Sequence, residues 1–144
     1  MGSVSAPAGY SGTPLPRKLG IQDGHVVLLD ALPPTVRLGD LGGATVVRRL
    51  RPGLDVTLTF HATRLTLARR LPALFERTVV DGAVWVCWPK KAAHRALAAE
   101  GVVVDLDENV VRGLGLGLGW VDVKVAAVDE TWSALKFVRR LVDR

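Results

Sequence analysis

The chain has 144 residues, 49% of them hydrophobic, a formal net charge of +5 and a mean hydropathy of +0.26. That length supports one core of ordinary size without disulfide or metal staples, and no apolar run approaches the roughly 18 residues of a membrane span. The positive balance favours anionic partners in general; aromatics are only 6%, and the absence of an interleaved basic and aromatic surface that could stack bases argues against nucleic acid.

In chain order, MGSVSAPAGYSG (1–12) has neither the basic nor the apolar region of a secretory signal. Ala6 stands where a myristoylation motif wants Ser or Thr. The single cysteine, Cys87, sits inside an apolar segment and suits a reducing compartment. These features predict a cytoplasmic protein with a flexible Gly/Ser/Pro tail over 1–14, Tyr10 anchoring its end, and one domain over 15–144.

Leu15 to Leu19 predicts one helical turn stopped by Gly20. HVVLLD (25–30) is a continuous apolar run ending in Asp, as in a strand buried on both faces of a parallel sheet. ALPPTVRLGDLGG (31–43) leaves room only for a short helix starting at Pro34. ATVVRRL (44–50) predicts a second strand near an edge, because of Arg48 and Arg49. LDVTLTF (54–60) predicts a third, with Val56, Leu58 and Phe60 on one face and Thr57 and Thr59 on the other. In HATRLTLARRLPALFERT (61–78), Leu67, Leu71, Leu74 and Phe75 fall at helical spacing with arginines opposite, Thr63 is placed to cap, and Pro72 to kink or divide the helix.

Asp81-Gly82 reads as a turn into AVWVCW (83–88), the most apolar strand, which ends in Pro89-Lys90-Lys91. AAHRALAAEG (92–101) is helix-prone. Asp105 or Asp107 can cap a helix carrying Val110, Val111 and Leu114. WVDVKVAAV (120–128) and WSALKFVRRLV (132–142) alternate and, joined through Asp129-Glu130-Thr131, predict an antiparallel hairpin. Strands separated by helices imply parallel pairing. The predicted fold is therefore α/β: a small, three-layer, Rossmann-like, mostly parallel sheet closed by a C-terminal antiparallel hairpin.

KLGIQDGHVVLLDA (18–31), together with the closing order of strand, helix, WVCWPK strand, helix and hairpin, resembles class I S-adenosylmethionine-dependent methyltransferases. GYSGTPLPRKLGI (9–21), WPKK (88–91), NVVRGLGL (109–116) and VDVKVAAVDETWSALKFVRR (121–140) are similar to a bacterial domain-of-unknown-function family of about this size. The sequence departs from that family's pattern at AAHRALAAEGVV (92–103). The second resemblance implies a small Rossmann-like fold and no particular chemistry.

The cofactor loop that the methyltransferase resemblance implies is missing where it is needed. Dinucleotide and methyltransferase folds follow the first strand with glycines that let backbone N–H groups approach the ligand. Here DALPPTV follows: Pro33 and Pro34 have no N–H, and Ala31 and Leu32 carry side chains into that space. The alternating glycines of GLGLGLG (113–119) come after a helix and before a strand, the reverse of the required order, and read as a helix end and close-packed connection. His25, His61 and His94 share no metal-like spacing with one another or with Cys87, and no serine stands in a nucleophile elbow.

One geometric expectation remains. Open parallel sheets bind ligands beyond the carboxyl ends of their strands. That edge should gather Asp30, His61 and Trp88-Pro89-Lys90-Lys91, so Asp30, His61, Trp88, Lys90 and Lys91 are candidate ligand-binding residues for a small anion. The plainer alternative pairs Asp30 with one of the lysines. Asp129, Glu130 and Trp132 are candidate partner-binding residues, with Trp132 as anchor; the plainer alternative is a hairpin turn and a core aromatic. The sequence thus reads as a non-catalytic binding module, with no cofactor and no catalytic residue, recognising a protein partner or an anionic ligand at the strand-end rim. Its rivals are a divergent methyltransferase-like enzyme or one acting on a phosphorylated small molecule, and a homodimeric module joined through the last strand.

Overall fold

The computed structural model of the protein describes residues 12–144; Tyr10 and most of the 1–14 tail lie outside them. Six strands form one sheet: β1 (Val26–Asp30), β2 (Thr45–Val47), β3 (Leu54–Phe60), β4 (Thr78–Pro89), β5 (Trp120–Ala127) and β6 (Trp132–Arg139). Their spatial order is β2-β1-β3-β4-β6-β5. The pairs β1–β2, β1–β3 and β3–β4 are parallel, and β6 runs antiparallel to both β4 and β5. The α/β, mostly parallel architecture with its C-terminal hairpin is the one the apolar periodicity predicts.

The helices are α1 (Leu15–Lys18), α2 (Arg64–Glu76), α3 (His94–Ala99) and α4 (Glu108–Gly117). On one face of the sheet, Leu67, Leu71 and Phe75 of α2 and Val111 of α4 pack against Val84, Val86, Leu135 and Phe137. On the other face, Leu19, Ile21, Val36 and Leu38 cover Val27, Leu29, Val56, Leu58, Trp85 and Cys87. Trp85 is fully buried, and its indole N–H donates to Leu19 O at 2.9 Å, tying the end of α1 to the central strand.

Caps explain the two long helices. Thr63 caps α2 through Thr66 N, and Asp105 accepts from Arg64 N at 2.6 Å, so a residue distant in sequence satisfies another free N–H of the same turn. Asp107 caps α4 through Val110 N at 2.8 Å. The two candidate caps therefore serve two different helices.

Several expectations are corrected. Residues 31–44 form no helix: two prolines and the left-handed Gly39 and Gly42 keep breaking the repeat. Pro72 does not divide α2; it lies exposed within a continuous 13-residue helix whose core residues on both sides remain buried. Asp81-Gly82 does not turn; β4 runs straight through it, with a register shift opposite Leu54 and Val56. Gly82 is required there, since a Cβ would lie 2.9 Å from Asp55 O. The glycine-leucine alternation lies mostly inside α4. A Cβ on Gly115 would come within 2.1 Å of Phe137, so this glycine lets α4 settle directly on β6. Finally, β6 is not an edge. It lies between β4 and β5, and the free edges are β2 and β5.

Candidate functional site

β1 pairs with β2 on one side and β3 on the other, so the chain reverses its direction of travel across the sheet between β1 and β3. Such a switch point opens a crevice beyond the strand ends. Asp30 is the last residue of β1, Thr59 is its register partner on β3, and His61 follows β3 directly. Thr59 Oγ1 donates to Asp30 Oδ2 at 2.7 Å and lies 2.7 Å from His61 Nε2. His61 Nδ1 lies 2.9 Å from Thr66 Oγ1. From α2, Arg70 closes the cluster with a two-pronged contact: Nε to Oδ2 at 3.1 Å and Nη2 to Oδ1 at 2.8 Å.

Donor counting fixes the proton positions. An ionised Asp30 only accepts, so the one hydroxyl proton of Thr59 goes to it. Thr59 must then accept from His61, which places the imidazole proton on Nε2. Nδ1 is left as an acceptor facing the Thr66 hydroxyl. Burial lowers the His61 pKa from 6.5 to about 4; the Asp30 charge opposes that shift and Arg70 adds to it. The imidazole is neutral at pH 7. The Arg70 guanidinium is held more firmly protonated by its hydrogen bonds to Asp30, against the opposing effect of burial.

Asp30, Ala31, His61, Thr66, Arg69 and Arg70 line an open cleft of about 340 Å³. Ala31 has φ 56°, in the left-handed region that a side chain disfavours by roughly 1 kcal/mol. Its position is the first after β1, where nucleotide folds place glycine. The cleft holds no group poised for covalent chemistry. Its hydroxyls are engaged, His61 is a weak base, and the Cys87 thiol is buried with its pKa pushed well up by that burial. Among the described residues no group of His, Cys, Asp and Glu could hold a metal ion. With Asp30 matched by Arg70, Arg69 leaves the lining net cationic.

The expected rim is thus divided. Asp30 and His61 come together, and Thr59, Thr66, Arg69 and Arg70 join them. No hydrogen bond or ion pair links Lys90 or Lys91 to either. Asp30 pairs with Arg70, and not with a lysine as the plainer expectation had it. Trp88 is core, 6% exposed, in the cluster beneath α2 and α4. Lys90 is half-buried and anchored by its backbone N–H to Thr131 O at 2.7 Å, while Lys91 is exposed and opens a short 3-10 turn into α3. In the hairpin connection, Asp129 Oδ1 accepts from Thr131 N and Trp132 N at 2.8 and 2.7 Å. Trp132 packs edge-on against Phe60, ring centres 5.2 Å apart, leaving Glu130 as the exposed member of that trio.

Sequence reasoning misses Arg70 as a site residue. Its position carries the one signal: three residues after Leu67 and next to Leu71, it stands on the border of the apolar stripe, where a long side chain can reach the end of a neighbouring strand.

No family model matches the chain, and no curated protein sequence matches it. Solved structures do. An O-methyltransferase from neocarzinostatin biosynthesis, in complex with S-adenosylmethionine and 2-hydroxy-5-methyl naphthoic acid, is similar over 81% of this chain and 49% of its own, with 15% identity and a TM-score of 0.57. LepI in complex with S-adenosylmethionine is similar over 88% and 39%, with 15% identity and a TM-score of 0.54. Magnesium protoporphyrin IX methyltransferase from Synechocystis, with bound S-adenosylhomocysteine, is similar over 67% and 51%, with 12% identity and a TM-score of 0.51. The chain spans about half or less of these proteins, and what it shares with them is the methyltransferase-like Rossmann fold.

The residues of this chain do not fit S-adenosylmethionine, which two of those three structures hold. Pro33 and Pro34 offer no N–H toward the crevice, Ala31 fills the glycine position, and the cationic lining opposes a sulfonium ion. Among the described residues, no helix is long and apolar enough to cross a membrane.

Proposed function

We propose that this chain is a non-catalytic binding module on a methyltransferase-like scaffold, and that its switch-point cleft takes a small carboxylate- or phosphate-bearing ligand. The observation that carries the reading is the bidentate Arg70–Asp30 contact. It fixes Arg70 in place and neutralises the one carboxylate, so that Arg69 and the outer edge of Arg70 present positive charge to the opening. The wholly hydrogen-bonded Thr59–His61–Thr66 chain supports a rigid wall in preference to a reactive centre. The reading extends to the bacterial domain-of-unknown-function family that the WPKK and VDVKV motifs resemble. Lys90 and Lys91, which follow β4 outside the cleft at the same end of the sheet, add to the field that draws an anion in.

Calorimetric titration with S-adenosylmethionine, S-adenosylhomocysteine, nucleotides, phosphosugars and small carboxylates tests it. An anion that binds, and loses about tenfold or more in affinity in Arg69→Ala, supports the reading. Tight binding of S-adenosylmethionine with transfer of its methyl group to any acceptor overturns it in favour of a divergent enzyme.

A further inference from the structure

A second cationic feature lies on the opposite face of the sheet from α2 and α4, away from the cleft. In the β5–β6 hairpin, Lys124 and Lys136 are direct cross-strand partners, just past the register shift at Asp122. Like charges directly opposite one another destabilise a sheet. Nearby structure holds them there nevertheless. Lys136 Nζ lies 5.8 Å above the Trp85 ring, tucked under Gly20, where an added Cβ would sit 3.7 Å from the ammonium. Lys124 Nζ lies 3.5 Å from Lys18 O, at the end of α1.

No carboxylate answers them. The four ion pairs among the described residues all use arginine. Asp122, two residues from Lys124, is held at 2.9 Å by Arg112 from α4, on the other face. Lys136 is half-buried, and burial together with the Lys124 charge lowers its pKa. Two ammonium groups, one of them partly desolvated, are thus cross-strand neighbours at the carbonyl end of α1, and among the described residues no carboxylate pairs with either.

We propose that Lys124 and Lys136 form a binding site for a phosphate group, on the sheet face that α1 covers. The bound anion supplies the missing counter-charge between the two strands. This site is independent of the switch-point cleft. Free phosphate and a phosphate monoester share the chemistry, so both serve as probes.

The experiment follows the melting temperature of the full chain in inorganic phosphate and in glycerol 3-phosphate, against sodium and potassium chloride at matched ionic strength. A phosphate probe at about 20 mM should raise Tm by about 2–5 °C over the matched salts, since only the folded state offers the site. In the Arg69→Ala background, where the cleft's own hold on phosphate is removed, the gain should persist, and adding Lys124→Gln or Lys136→Gln should abolish it. Lys124→Gln alone should melt higher than the parent in chloride because the repulsion is gone. A response to the monoester alone assigns the site to phosphate carried on a larger molecule. The proposal is overturned if neither probe acts beyond the matched salts in the Arg69→Ala background, or if both lysine variants retain the gain there. It is likewise overturned if Lys124→Gln melts lower than the parent in chloride, the result expected if that lysine serves only to hold Lys18 O.

Discussion

Two of the charge pairs that join neighbouring elements of this molecule are built in opposite ways. Asp30 and Arg70 come from a strand end and a helix 40 positions apart, and they meet as opposite charges, the carboxylate taking two prongs from the guanidinium and a third hydrogen bond from Thr59. Lys124 and Lys136 meet across a hairpin as like charges. The first arrangement shows where folding has already used the charge; the second shows where charge is still available. Net charge alone separates neither from the solvated arginines elsewhere on the surface.

The largest expected effect concerns the matched pair's neighbour. His61 keeps a pKa of about 4 in the folded state against 6.5 when exposed. Between those values the unfolded chain takes up a proton that the folded chain refuses, so acid favours unfolding. The full stability is present above about pH 6.5 and falls by about 3 kcal/mol as pH drops to 4. Urea unfolding measured across that window should show the slope, and His61→Gln should flatten it. A parent curve flat from pH 7 to 4.5 would mean that the imidazole is reachable by water and the network is loose.

Asp30→Asn comes next. It removes the charge that matches Arg70 and turns an acceptor toward Thr59 into an ambiguous one; the expected loss is about 2 kcal/mol at pH 7, reduced from the fully buried case because Arg70 is part-exposed. A loss below about 0.5 kcal/mol by chemical denaturation would place this contact with ordinary surface ion pairs. Ala31→Gly should act in the other direction. Relief of the left-handed strain against added chain entropy leaves a gain of up to about 1 kcal/mol, and a loss would show that the methyl group itself packs against the cleft wall. The smallest effect is the gain in chloride from Lys124→Gln, about 0.5 kcal/mol, readable as a small rise in Tm.

Much of the sheet is legible because its strands are short apolar runs with clear boundaries: HVVLLD, LDVTLTF and AVWVCW all read as strands of a mostly parallel sheet, and the structure has them so. What misled was local punctuation. Asp81-Gly82 has the composition of a turn, but its glycine answers a steric need against Asp55 O that only the folded sheet reveals. Pro72 should break a helix, but tertiary packing of Leu71, Leu74 and Phe75 holds it continuous. At the site, the strand-end rule brought Asp30 and His61 together. It did not reveal Arg70, because charge pairing across two elements is not encoded in spacing along either one. Lys90 and Lys91 follow β4, one strand further along the sheet, and the rule gives the end of the sheet without saying which strand ends share a pocket.

The position of β6 also bears on how the protein is made. Synthesis delivers β4 with its apolar VWVCW segment long before Trp132–Arg139, the strand that covers its second edge. Until then β5 has no place in the sheet, since among the described residues its one sheet neighbour is β6. A nascent chain at that stage carries an open, hydrophobic strand edge of the kind that pairs with other chains. Insertion of one eight-residue strand between two waiting neighbours closes it. Slow translation, or truncation of the chain before Trp132, would therefore leave that edge of β4 uncovered, even though the missing segment holds none of the residues that line the cleft.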